Sequence, residues 1–166
     1  MHYPVRKRNR LPGFDYSSAN VYFITICTHQ KQCIMWSHAP EPVGATNGRP
    51  PCSHLSPAGM HARNAIEAIP RHYPAVSVEN YVIMPNHVHL LLQIHADEGG
   101  RPMVAPTVSR VVAQMKGAAV KAFGQPIWQK GFHDHIVRTE SDLQGIWAYI
   151  DGNPYAWEQD CFYLSE

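Results

Sequence analysis

The chain has 166 residues, 45% hydrophobic and 16% charged, with a formal net charge of +1. That length holds one hydrophobic core and is too short for two comfortable ones, so residues 1–166 are expected to form a single domain. Near-neutral charge neither demands nor excludes a nucleic-acid partner. With no cleavable leader, no apolar run of membrane-spanning length and no Cys-x-x-Cys pair among Cys27, Cys33, Cys52 and Cys161, a reducing, cytoplasmic setting away from membranes is expected.

Taken in order, residues 1–20 open as a basic arm in which Arg6, Lys7, Arg8 and Arg10 stand close together. Such an arm neutralises several phosphates, or is simply a solvated terminus. Residues 21–28 alternate aromatic and β-branched side chains and read as a central strand. Residues 37–55 carry Pro40, Pro42, Gly44, Gly48, Pro50 and Pro51, a composition that breaks helix and sheet alike, and read as a surface loop or a ragged edge hairpin. Ser56-Pro57 then supplies an N-cap and a first-turn proline. Ala62, Ala65, Ile66 and Ile69 recur at helical spacing up to Pro70.

A second strand spans residues 75–84, and Pro85-Asn86 joins it tightly to a third. From His87 the third strand alternates strictly, with Val88, Leu90, Leu92 and Ile94 on one face and His87, His89, Leu91, Gln93 and His95 on the other. Thr107 caps a second helix whose apolar stripe is Val108, Val111, Val112, Met115, Ala119 and Phe123. Arg110, Gln114, Gly117 and Lys121 are left on a basic face, either merely solvated or lining a nucleic-acid path. Residues 132–137 read as a fourth strand, lying at the sheet edge. A third helix covers residues 139–153 with the stripe Leu143, Ile146, Trp147 and Ile150, stopped by Gly152-Asn153-Pro154, and residues 154–166 remain as a tail. The order strand, helix, strand, strand, helix, strand is that of an α+β, ferredoxin-like (βαββαβ) antiparallel sheet with helices on one face, to which a C-terminal helix is added. Its first and third strands are central, which places His87 and His89 mid-sheet on the face left for a ligand.

Two same-face imidazoles on a strand hold a fixed separation and suit one divalent cation, but a third ligand must come from elsewhere. His133 and His135 form a rival His-x-His on the edge strand, where a structural or DNA-contacting role fits better. Tyr149 stands out among eight tyrosines because it lies off the helix stripe with Asn153 at i+4, on the same face. Asn153 reads equally as a ligand or as a helix C-cap before proline.

The string Met84-Pro-Asn-His-Val-His-Leu-Leu-Leu92 resembles the His-hydrophobic-His signature of single-tyrosine transposases, most closely the REP-associated tyrosine transposases. The segments from Leu11 to Tyr16, Tyr22 to Cys27, Ile127 to Arg138 and Tyr149 to Trp157 resemble the same family, so the likeness covers nearly everything except the Pro/Gly-rich loop. The resemblance implies a DNA transposase that cleaves and rejoins single-stranded DNA beside hairpins. In it Tyr149 is the nucleophile, His87 and His89 hold Mg²⁺ or Mn²⁺, and Asn153, where the family often has glutamine, is a further ligand. It also implies DNA contacts from the N-terminal region, and leaves open a homodimer in which one subunit's tyrosine helix serves the other's His pair. Two rival readings are a non-catalytic single-stranded nucleic-acid binder, which has no need of Tyr149, and a metal-dependent hydrolase, for which no acidic residue stands beside the His pair.

Overall fold

The computed structural model describes residues 12–38, 54–96 and 106–163. The basic residues of the N-terminal arm, residues 39–53 of the Pro/Gly-rich loop and residues 97–105 lie outside this set.

Four antiparallel strands, β1 (Val21–Cys27), β2 (Val76–Ile83), β3 (His87–Ile94) and β4 (His133–Val137), stand in the order β2-β3-β1-β4. Helices α1 (Pro57–Glu67), α2 (Ile69–His72), α3 (Val108–Phe123) and α4 (Glu140–Gly152) complete the ferredoxin-like order with its C-terminal addition. The central strands are therefore β1 and β3, and their register sets Thr25 opposite His89 and Cys27 opposite His87.

Local chemistry accounts for the helix starts. Ser56 accepts a hydrogen bond from the Gly59 amide, Thr107 from that of Arg110 and Thr139 from that of Asp142, each satisfying an N–H that the helix itself leaves unpaired. Gly124 ends α3 at φ 82°, a backbone that L side chains rarely adopt. Gly59 is needed for space, because a Cβ there would stand 2.2 Å from the Met35 carbonyl oxygen. The first helix stops at Glu67 instead of running to Pro70. Proline has no N–H to continue the ladder, so the chain restarts at Ile69 as the short α2, with Pro70 in the tolerated first turn.

Two cores flank the sheet. On one face Tyr22, Ile24 and Ile26 of β1 and Val88, Leu90, Leu92 and Ile94 of β3 pack against Ala62 and Ile66 of α1 and Val111, Val112, Met115 and Ala119 of α3. On the other, Leu91, Val82, Met84 and Val137 meet Ile150 of α4, with Leu143, Ile146 and Trp157 around them. The second face is thus not left open as the strand pattern suggests. Leu91, placed among the histidines by the alternation, is fully buried and is the apolar seat on which α4 docks. The α4 stripe also differs from expectation: Ile150 is buried and Leu143 and Ile146 are half-buried, but Trp147 is 39% exposed. Asn80 follows a register shift in β2 and donates its amide to Asp151 at 2.9 Å, fastening the C-terminal end of α4 to the sheet.

Candidate active site

Both imidazoles of the His-x-His stretch are buried, His87 completely and His89 at 2% exposure, and their Nε2 atoms face each other at 3.0 Å. The outer ring nitrogens are held separately. Asn86 Oδ1 lies 2.8 Å from His87 Nδ1, and Thr25 Oγ1 lies 2.9 Å from His89 Nδ1. Rings close in around them: Phe23 stacks on His89 at 5.2 Å between centroids, and Phe162 lies 4.6 Å from His87. Burial, with the nearby Lys31 charge as a second cause, pushes His87 down to about 3. Burial first, and then His87 itself, does the same to His89, against the opposing pull of Asp160. Both rings are therefore neutral near pH 7, the form in which imidazole is a ligand.

Tyr149 of α4 reaches this pair within the same chain, its Oη 3.2 Å from His89 Nε2. Its phenol also donates to Asp160 Oδ2 at 3.5 Å, and partial burial followed by the Asp160 charge raises its pKa above 10. Asp160 arrives from the segment after α4, which continues from Asn153 to Gln159 as a 3-10 turn instead of stopping at Pro154. Asp160 Oδ2 is 3.9 Å from His87 Nε2, a dipolar contact and not an ion pair while His87 is neutral. Its Oδ1 is fixed by the Phe162 amide at 2.7 Å.

Among the described residues His87, His89 and Asp160 form one group of ionisable ligand side chains, with one ligand atom from each lying within 4.8 Å of the others. Two neutral imidazoles and a carboxylate beside a phenol are a donor set that fits a divalent cation. Asn153 is buried at 3% exposure and stays helical (φ −58°, ψ −41°), so it does not leave the helical region before proline as a C-cap of that kind would. Its amide makes no hydrogen bond of good geometry, although it lies close enough to Tyr149 to favour the phenolate.

The rival pair on β4 lies on the edge strand, away from the buried pair. His135 Nε2 meets Asp142 Oδ2 at 2.8 Å, tying the edge strand to the first turn of α4, and His133 is exposed. Arg110 and Lys121 are exposed on α3, which covers the opposite face of the sheet, so the fold does not bring them to the His pair. Arg6, Lys7, Arg8 and Arg10 fall outside the described residues. Asp160, Phe162 and Trp157 were missed in the sequence because they follow a proline in a stretch read as a tail, although its four aromatics, Tyr155, Trp157, Phe162 and Tyr163, are a signal that such a segment is covering something. Lys31 was missed as well. It sits at φ 56°, after Gln30 at φ 53°, with its ammonium 5.2 Å from the centre of the Phe162 ring.

A ferredoxin-like sheet with a His pair on a central strand and a tyrosine on a following helix has the features of single-tyrosine transposases, and known proteins bear the resemblance out. No protein-family model matches the sequence. A Haemophilus influenzae protein provisionally described as a REP-associated tyrosine transposase is 27% identical over 110 residues, 61% of this chain and 62% of that protein. An uncharacterised protein of the same organism is 29% identical over 179 aligned positions, 96% of this chain and 93% of the relative. Among solved structures, a REP-associated tyrosine transposase bound to a REP hairpin superposes with a TM-score of 0.56 at 21% identity, over 82% of this chain and 67% of that one. At that identity the superposition establishes the fold. The chain therefore resembles REP-associated tyrosine transposases both in sequence and in architecture. Among the described residues no helix is long and apolar enough to cross a membrane, and Cys27 and Cys161 are free thiols.

Proposed function

We propose that this chain is a DNA transposase acting as a single-strand endonuclease and ligase, transferring a phosphodiester to Tyr149 and back. The observation that carries the reading is the phenol of Tyr149 at 3.2 Å from His89 Nε2, beside a second imidazole and a carboxylate in one chain. His87, His89 and Asp160 would hold Mg²⁺ or Mn²⁺, and a bound cation supplies charge withdrawal from a non-bridging phosphate oxygen. Asp160 fits the third position better than Asn153, which lies near the phenol of Tyr149.

The residues of the chain divide the rest of the work. Tyr149 Oη attacks the scissile phosphorus, its proton passing to water. The new O–P bond forms as the P–O3′ bond breaks, and the 3′ oxygen takes a proton from water and leaves as a free hydroxyl. Because the 5′-phosphotyrosine ester conserves the bond, a 3′-hydroxyl can reverse the step and rejoin the strands. Phe162, Trp157 and Phe23 exclude water from the imidazoles, and Lys31 adds positive charge where the phosphate must lie. The likeness to a fold relative bound to a REP hairpin supports hairpin-flanked single strands as the substrate class, and the basic arm would supply phosphate contacts. The approach of Tyr149 to the His pair within one chain supports a site that one subunit can complete.

Incubation with hairpin-flanked single-stranded DNA and Mg²⁺ or Mn²⁺ should yield a protein–DNA adduct that survives denaturation. Tyr149→Phe should abolish the adduct and keep DNA binding, while Tyr155→Phe, on an exposed ring beyond Pro154, should leave it intact. Binding without an adduct in the parent protein would leave a binding module instead, and loss only with Tyr155→Phe would move the nucleophile.

A further inference from the structure

Two unprotonated Nε2 atoms do not sit 3.0 Å apart without a cation between them, because their lone pairs repel. One nitrogen carries a proton, and the surroundings decide which. Asn86 Nδ2 donates to the Phe162 carbonyl at 2.8 Å, so the amide oxygen, not the nitrogen, is turned to His87 Nδ1. That oxygen accepts only, so His87 carries its proton on Nδ1 and presents a lone pair at Nε2. The shared proton consequently belongs to His89 Nε2, and His89 Nδ1 must accept from the Thr25 hydroxyl. The result is a relay with every donor pointing the same way: Thr25 to His89, His89 to His87, His87 to Asn86, and Asn86 to the Phe162 carbonyl. Tyr149 Oη, also 3.2 Å from His89 Nε2, accepts from the same proton and keeps its own directed at Asp160.

A cation among His87, His89 and Asp160 asks for something different. His87 is already in the right tautomer, but His89 must free Nε2 and carry its proton on Nδ1. Thr25, whose hydroxyl both donates and accepts, suits either state without moving. We propose that Thr25 and Asn86 are positioning residues that hold the two imidazoles in unequal tautomers, and that cation capture moves the His89 proton from Nε2 to Nδ1 as the Thr25 hydroxyl turns from donor to acceptor. The ring stays neutral throughout, one N–H being removed and one formed through exchange with water. This inference rests on the reading of His87, His89 and Asp160 as a cation site.

The test is nitrogen NMR of histidine-labelled protein at neutral pH, first with chelator and then with Zn²⁺ as a diamagnetic probe that imidazole binds well. Comparison with His87→Gln and His89→Gln identifies the two rings. His87 should be Nδ1–H in both states, and His89 should change from Nε2–H to Nδ1–H on loading. Thr25→Val should weaken Zn²⁺ binding about 10- to 100-fold, as removing an outer partner of a ligand does, and Thr25→Ser should restore it. Should the valine variant fail to fold, the parent spectra and the serine variant still decide. His89 already Nδ1–H without metal, an unchanged His89 on loading, or a Thr25→Val affinity equal to that of Thr25→Ser would each overturn the proposal. The cation-site reading fails separately, if the parent shows the stated tautomers and binds no Zn²⁺.

Discussion

Burying two neutral imidazoles makes stability depend on pH in a direction and a window that can be worked out beforehand. Folded His87 and His89 are both held at about 3, against an ordinary 6.5. Between those values the unfolded chain binds protons that the folded chain refuses, so stability is fully present above 6.5 and is lost as the pH falls toward 3. At pH about 5.5 each group costs about 1.4 kcal/mol, or about 3 kcal/mol for the pair, a large share of a marginal folding free energy. The depressed carboxyls of Asp15 and Asp142 also stabilise the fold at higher pH, but theirs is lost only near and below their ordinary 3.8, outside this window. Urea unfolding in chelator at pH about 7.5, 6.5 and 5.5 should show the parent losing about 3 kcal/mol across the series, with His87→Gln/His89→Gln nearly flat. Equal slopes for the two proteins would refute the argument, and a parent that gains stability toward acid would reverse its sign.

Truncating Ile150 to Ala should destabilise the protein by about 2–5 kcal/mol because it empties the core under α4, while Trp147→Ala on the exposed side should cost about 1 kcal/mol or less, both read by the same urea titration. Deleting residues 1–10 should weaken binding to single-stranded DNA and flatten its salt dependence. The slope of log K against log salt should fall by about 0.7 for each phosphate the arm neutralises, as read by fluorescence anisotropy across a salt series. An unchanged slope would take Arg6, Lys7, Arg8 and Arg10 out of the interface.

The parts of this protein visible in its sequence are those governed by short-range rules. Ser56 and Thr107 cap helices where a hydroxyl before an apolar repeat says they should, and the period-2 run from His87 places both imidazoles on one face. Tyr149 was legible because it departs from the stripe of its own helix. Partners remote in sequence were not. Asp160 lies far along the chain from His89, and nothing local distinguishes it from a solvated acid; only the docking of α4 on Leu91 carries it back to the sheet. Thr25 left a faint mark, as a polar side chain on the His face of an otherwise apolar strand. Trp147 was misplaced because its hydrophobicity fits the stripe, whereas the sheet offers α4 only a narrow seat.

The unequal size of the two cores separates the protein into layers of different durability. Between β1, β3, α1 and α3 lies a broad continuous interior, whereas α4 is held by Ile150 and a few neighbours, two side-chain links at its ends and the ring cluster around Trp157. Amides in α4 accordingly have a low-energy route to solvent exchange through release of that layer alone, while those of α3 and β3 exchange only when the whole domain unfolds. His87 and His89 belong to the durable layer and Tyr149 and Asp160 to the labile one. Detaching Tyr149 from the imidazoles therefore costs the chain a fraction of its folding free energy, and leaves the sheet that aims those imidazoles untouched.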